Sequence, residues 1–242
     1  ILFSPILGII LLYIISVIFW YFSIQKEREY IRKVFSRYVS SDVMNELINN
    51  PELAKPGGRK MEVSVIFVDI RDFTGFARKR KPKEVVECLN RTFDKVSQVI
   101  IKYNGTLDKY LGDGFIAFFG APIPDNKYLE SCFYAAREIQ RLSYEGEFPF
   151  KLGIGIDTGS VIVGNIGSEK MMDYTIVGDS VNRASRFVDI ADRDEIVINN
   201  DYWSRLCTVD ENNLKNLNIE KDTTKIDKRD FKLVRLKQGG RE

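Results

Sequence analysis

Several patterns of hydrophobic and polar positions follow one another along this chain. Residues 5–24, PILGIILLYIISVIFWYFSI, are a run of 20 residues without a charge, enough for about 30 Å of helix and one crossing of a bilayer. Trp20, Tyr21 and Phe22 close the run as an interfacial aromatic belt would. Lys26, Arg28, Arg32, Lys33 and Arg37 follow, which predicts that this end is cytoplasmic. The length of the run, with no basic region before it, argues against a cleaved signal peptide. From residue 25 to 50 charges alternate with apolar positions. Ile24, Ile31 and Tyr38 recur at seven with Val34 and Phe35 between them, which predicts a helix with an apolar seam suited to pairing with a second copy. Pro51, Pro56, Gly57 and Gly58 break that pattern. The expected organisation is a transmembrane helix over 1–24, a cytoplasmic helical linker over 25–58 and one globular domain over 59–242. The chain begins at Ile1 and is expected to be a piece of a longer protein anchored in a plasma or inner membrane.

Within the domain, residues 63–77, VSVIFVDIRDFTGFA, open as an apolar β-type run that ends in Asp69 and changes period at Arg71-Asp72-Phe73-Thr74-Gly75. This reads as strand, turn and helix, with Asp72 placed to cap the helix. Residues 110–119, YLGDGFIAFF, set Gly112-Asp113-Gly114 between two apolar runs, the signature of a hairpin. Pro82 opens a helix whose core face is Val86, Leu89, Phe93, Val96 and Ile100, ending near Asn104-Gly105. Leu129, Cys132, Phe133, Ala136, Ile139 and Leu142 predict a second. Residues 150–157 and 160–166 read as two strands on either side of Thr158-Gly159. The order βαββαβ predicts an α+β domain with helices against one antiparallel sheet.

Composition removes several chemistries. With no histidine in 242 residues, Ser-His-Asp hydrolysis, histidine-based zinc sites and histidine general-base catalysis are excluded. Cys88, Cys132 and Cys207 are odd in number and widely spaced, the two on apolar helix faces read as ordinary core residues, and a reduced cytoplasm fits. A net charge of +2 from 36 basic and 34 acidic residues offers nucleic acid no electrostatic footprint, and the basic cluster after residue 24 suits anionic lipid headgroups. Asp69 and Asp113 each stand at a strand end. Brought together they repel, and Mg²⁺ or Mn²⁺ is the usual remedy. Asp69 also follows an unbroken apolar run, where a carboxylate is costly to bury without a partner.

FVDIRDFTGFA, then DKYLGDGFIAFFGAP, then DYTIVGDSVNRASRF, in this order over residues 61–200, resemble the catalytic domain of the class III nucleotidyl cyclases, specifically adenylate cyclases of bacterial type. FSRYVSSDVMNEL upstream resembles a linker that often precedes such domains. The resemblance implies a ferredoxin-like fold and an enzyme that converts ATP to 3′,5′-cyclic AMP and pyrophosphate, in signal transduction, through two Mg²⁺ or Mn²⁺ ions per active site at a homodimer interface. It implies that Asp69, Asp113 and the main-chain carbonyl of Ile70 hold the metals, and that Asp72, Phe73, Thr74, Gly75 and Gly112 bind the substrate. The first turn there offers backbone N–H groups to the triphosphate. Asn182 and Arg186, four apart on one helix face, would orient the ribose and stabilise charge on the α-phosphate. Lys109 and Thr175 match the purine-selecting pair. Lysine is only a donor and suits an acceptor nitrogen of adenine, where related guanylate cyclases have glutamate. Thr175 is a bacterial-type variant whose hydroxyl can accept from the adenine amino group. A triphosphate lysine is expected in the region NIEKDTTKIDKRDFKLVRL, with Lys228 the choice and Lys225 or Arg229 the alternatives. Two other readings remain open, a guanylate cyclase of the same fold and an inactive dimerisation or signal-relay domain. Leu111-Gly112-Asp113-Gly114-Phe115 lacks the turn a diguanylate cyclase needs.

Overall fold

The computed structural model describes residues 3–35, 43, 44, 48, 50, 55–169, 171–215, 217, 219–226 and 229–237. The chain divides into two units, 1–45 and 46–242. The first contains α1 (Phe3–Phe35), whose side chains are described at 9, 10 and 12–26. Among the described residues no helix is long and apolar enough to cross a membrane. The expected transmembrane helix is therefore not supported by the described residues. The seam expected at Ile31, Val34, Phe35 and Tyr38 lies outside the described side chains.

The second unit alternates β1 (Gly57–Arg71), α2 (Phe73–Arg78), α3 (Pro82–Lys102), β2 (Gly105–Leu111), β3 (Gly114–Phe119), α4 (Tyr128–Tyr144), β4 (Lys151–Ser168), β5 (Met171–Val177), α5 (Asp179–Asp189), β6 (Glu195–Asn199), α6 (Asn200–Val209), α7 (Glu211–Leu214), β7 (Ile219–Ile226) and β8 (Arg229–Lys237). The segment from β1 through α3, β2, β3 and α4 to β4 is the expected βαββαβ core. Among the described residues one sheet holds every strand, in the order β2-β3-β1-β4-β6-β8-β7 with β5 paired to β4.

Period-two alternation sorts the strand residues into two layers. Along β1, Ile66, Val68 and Ile70 pack with Val96 and Ile100 of α3, Phe133 and Ile139 of α4 and Leu206 of α6. Val63 and Val65 face the other way, with Ile116, Phe118, Val161 and Ala184 of α5. Each such fully buried aliphatic stabilises the fold by about 1.5–3 kcal/mol relative to exposure. Asp69 is in phase with Val63 and Val65, on the face that α5 covers.

Three expectations are corrected. The sheet is mixed: β4 and β6 run parallel, Gly153 opposite Glu195 to Ile156 opposite Ile198, because α5 carries the chain across one face between them. Thr158-Gly159 is no turn, since β4 is one strand paired with β1 from Gly57↔Asn165 to Arg71↔Lys151, and the Thr158 hydroxyl donates to the Val63 carbonyl at 2.8 Å. In α3 one position of the expected core face is replaced: Val85 is buried while Val86 is 53% exposed, and Leu89, Phe93, Val96 and Ile100 pack in the core as expected.

α5 approaches the sheet closely at Gly155. A Cβ there would lie 2.3 Å from the Val188 nitrogen and 2.4 Å from the Ala184 carbonyl oxygen, both backbone atoms. Gly155→Ala should therefore displace α5, with an overpacking cost of about 1–3 kcal/mol and a fall in Tm of roughly 2–12 °C in thermal unfolding. An unchanged Tm would show that the contact is loose.

Candidate functional site

Strand register builds the first half of the site. Asp69 pairs with Gly114, which brings it beside the two-residue turn Gly112-Asp113 that joins β2 and β3. Gly112 takes φ +72°, where glycine carries no steric penalty. Gly114 lets the hairpin close on Asp69, since a Cβ there would lie 2.6 Å from the Val68 carbonyl oxygen and 3.3 Å from Asp69 Oδ1. Burial is the main cause that raises the Asp69 carboxyl above its usual range. Arg71 opposes the rise, and the charges of Asp113 and Asp189 add to it. Arg71 Nη2 donates to Asp69 Oδ2 at 2.7 Å and to the Val188 carbonyl at 3.0 Å, tying the end of β1 to the end of α5. The partner that a half-buried Asp69 requires is thus supplied within the chain.

Asp72 occupies the N-cap position of α2 in the left-handed region at φ 59°, but its side chain makes no capping hydrogen bond. This corrects its expected role: its backbone carbonyl accepts from the Phe76 N–H at 3.0 Å, while its carboxylate fills the space left by Gly75, where a Cβ would meet Oδ1 at 2.5 Å. The first-turn N–H groups of Phe73, Thr74 and Gly75 have no partner within the helix. A cavity of about 350 Å³ adjoins this turn, and Arg71, Lys79, Arg80, Lys151 and Arg193 are among its lining residues, a setting that favours an anion.

The second half is built by β2 and β5, which contact each other. A register shift between Leu107 and Lys109 leaves Asp108 unpaired in the ladder, and its side chain is only 1% exposed. Thr175 Oγ1 donates to Asp108 Oδ2 at 2.7 Å. Lys109 Nζ stands 3.7 Å from Asp108 Oδ1 and 3.6 Å from Asp173 Oδ2. Burial raises the Asp108 carboxyl, and the bond from Thr175 and the charge of Lys109 oppose the rise. Lys109 and Thr175 therefore meet around one carboxylate.

α5 buries Ser180, Ala184, Phe187 and Val188 and exposes Asn182 and Arg186, which point away from their own sheet. Lys228 lies outside the described residues. Lys225 and Arg229 stand where β7 and β8 meet, paired with Asp230 and Ile226, and β4, β6 and β8 separate β7 from β1.

Among the described residues no group of three or more carboxylate, thiol or imidazole side chains is placed to hold a metal. Two carboxylates and a main-chain carbonyl are an all-oxygen set, which suits a cation that takes one or two carboxylates and completes its shell with substrate phosphates and water. The repulsion felt by Asp69 from Asp113 is what such a cation relieves, so the residues fit Mg²⁺ or Mn²⁺. Sequence reasoning passed over Arg71, Asp108, Asp173 and Asp189. Arg71 is two residues from Asp69 on a strand, hence on the same face. The contact of Asp108 depends on a bulge that no pattern signals.

The profile of the family described as "Adenylate and Guanylate cyclase catalytic domain" matches residues 57–228. Adenylate cyclase 1 of Rhizobium meliloti is 34% identical over 162 residues, 63% of this chain and 24% of that protein. An uncharacterised protein of Mycobacterium tuberculosis is 34% identical over 170 residues, 69% of this chain and 30% of that one. The chain thus spans less than a third of the length of these curated relatives. The adenylyl cyclase CyaB from P. aeruginosa superposes with a TM-score of 0.63 at 27% identity, covering 76% of this chain and 97% of that one. A solved guanylyl cyclase superposes with a TM-score of 0.59 at 30% identity, covering 74% and 92%.

Proposed function

This chain belongs to the adenylate and guanylate cyclase catalytic domain family, and from that premise we propose that it is an adenylate cyclase acting as a homodimer. The reaction joins the ribose 3′-oxygen of ATP to the α-phosphorus, breaks the bond from that phosphorus to the bridging oxygen, and releases pyrophosphate and the hydroxyl proton. The observation that carries the choice of ATP is the meeting of Lys109 and Thr175 around Asp108. A lysine donor suits the N1 acceptor of adenine, and a hydroxyl can accept from its amino group.

Asp69 and Asp113, with the Ile70 carbonyl, would hold two divalent ions, which when bound acidify the 3′-hydroxyl and neutralise phosphate charge. The N–H groups of Phe73, Thr74 and Gly75 face the phosphates. Asn182 holds the ribose. Arg186 offers forked donors to charge that builds on the α-phosphate. The nucleophile belongs to the substrate, which is how a chain without histidine can run the reaction.

Purified protein assayed with ATP and GTP, each with Mg²⁺ and Mn²⁺, should give cyclic AMP with ATP preferred. Predominant cyclic GMP would establish the second reading, a guanylate cyclase, which the 30% identical guanylyl cyclase favours. No product from either nucleotide would establish a relay domain. Lys109→Glu should depress kcat/KM for ATP by about tenfold or more, because a carboxylate facing the N1 lone pair leaves both unsatisfied. Unchanged ATP kinetics would remove Lys109 from the purine pocket.

Attachment to a plasma or inner membrane, with the domain cytoplasmic, is proposed on the sequence alone, from the charge-free run 5–24 and its basic flank. Recovery of the protein in the soluble fraction after lysis without detergent would sink it.

A further inference from the structure

We propose that Asp108 is a specificity-determining positioning residue, which turns the hydroxyl of Thr175 into an obligatory acceptor and so makes the purine pocket read an amino group rather than a carbonyl at the six-position. The inference rests on the adenylate reading and adds a residue to it. A threonine hydroxyl has one proton and two lone pairs, and left free it rotates to suit either kind of partner. Here its proton is committed: Thr175 Oγ1 donates to Asp108 Oδ2 at 2.7 Å, and an ionised carboxylate can only accept. What Thr175 still offers a ligand is lone pairs. Adenine meets them with its amino N–H, whereas guanine presents O6, a second acceptor, and both oxygens would be left unsatisfied.

The same carboxylate bears on Lys109. Asp108 Oδ1 is buried and makes no hydrogen bond, and it lies 3.7 Å from Lys109 Nζ, with Asp173 Oδ2 at 3.6 Å on the same ammonium. Both distances are within ion-pair range and beyond hydrogen-bond range. The ammonium is thus held in place electrostatically without a hydrogen bond to either carboxylate. Guanine carries N1–H where adenine has the N1 lone pair, so a lysine donor rejects it a second time. The bulge at Asp108 is what makes this possible, since it turns the side chain inward, 1% exposed, beside Thr175 of a different strand.

The test is kcat/KM and equilibrium affinity for ATP and for GTP in wild type, Asp108→Asn, Thr175→Val and the double variant, with Tm and dimer content measured alongside. Asparagine keeps the shape but can donate to Thr175, which frees the hydroxyl proton to face O6. The ATP-to-GTP ratio of Asp108→Asn should therefore fall by about tenfold or more, with Tm and dimer content retained. Adding Asp108→Asn to Thr175→Val should leave that ratio within about twofold, because the residue acts through the hydroxyl. Parallel losses for both nucleotides, or a ratio that does not move, would show that Asp108 only supports the fold and would overturn the inference while leaving the adenylate reading intact. A wild-type preference for GTP would overturn both. A misfolded Asp108→Asn leaves Thr175→Val to decide: if its ratio equals that of wild type, the hydroxyl reads nothing and the inference falls.

Discussion

Asp69→Ala and Asp113→Ala, made separately, should each lower cyclase turnover by roughly 10³-fold or more while leaving the domain folded. The magnitude follows from the several kcal/mol that divalent ions supply to phosphate chemistry, at a factor of ten in rate for each ~1.4 kcal/mol. The expectation of intact folding follows from the local electrostatics. Burial raises the Asp69 carboxyl, the charges of Asp113 and Asp189 add to the rise, and Arg71 and the backbone hydrogen bond at Ile70 do not offset it, so the ionised group is a liability to the bare domain, as functional residues often are. Alanine removes that liability together with an ion pair that is partly exposed and worth little. The Tm of each variant should equal or exceed that of wild type. A second readout separates metal loss from other damage, since each variant should also bind Mn²⁺ more weakly in the presence of a non-cyclising ATP analogue. Turnover like that of wild type in either variant would remove the carboxylate pair from the metal assignment.

Much of the fold was legible because the β1 run and the α4 face obey simple periods. Asp69 and Asp113 could be expected at strand ends, and the register Asp69↔Gly114 brings them together. The failures have physical causes. Thr158-Gly159 has the composition of a turn, but β1 is long enough to hold β4 straight through it. The direction of β6 depends on where α5 crosses, which no local pattern encodes. Val85 replaces Val86 in the core because the facing of a helix is set by what it packs against. The electrostatic partners were least visible of all: Arg71 closes on Asp69 and Val188 from residues 2 and 117 positions away, and Asp108 meets Thr175 across 67 positions.

The proposed catalytic groups fall into two sets, and the dimer prediction follows from how one chain displays them. Asp69 lies on the sheet face that α5 covers, and α5 packs its Ala184, Phe187 and Val188 side inward with the backbone of Gly155 almost against it. Asn182 and Arg186 are on the opposite, exposed side of that helix. Under the proposed function, groups that point away from their own sheet would serve a substrate held at Asp69 and Asp113 of a second copy, and a two-fold dimer would make two such composite sites at once. Asp69→Ala and Arg186→Ala should therefore each be inactive alone and restore one another when mixed. In a mixed dimer one site collects both substitutions and the other collects neither. With free exchange half the dimers are mixed, each with one working site of two, so activity should return to about a quarter of the wild-type value. The recovery should track the fraction of mixed dimers, measured with two affinity tags, as the mixing ratio is varied. If mixed dimers form and the activity stays at the level of the separate variants, each chain holds its whole site and the shared-site reading is wrong.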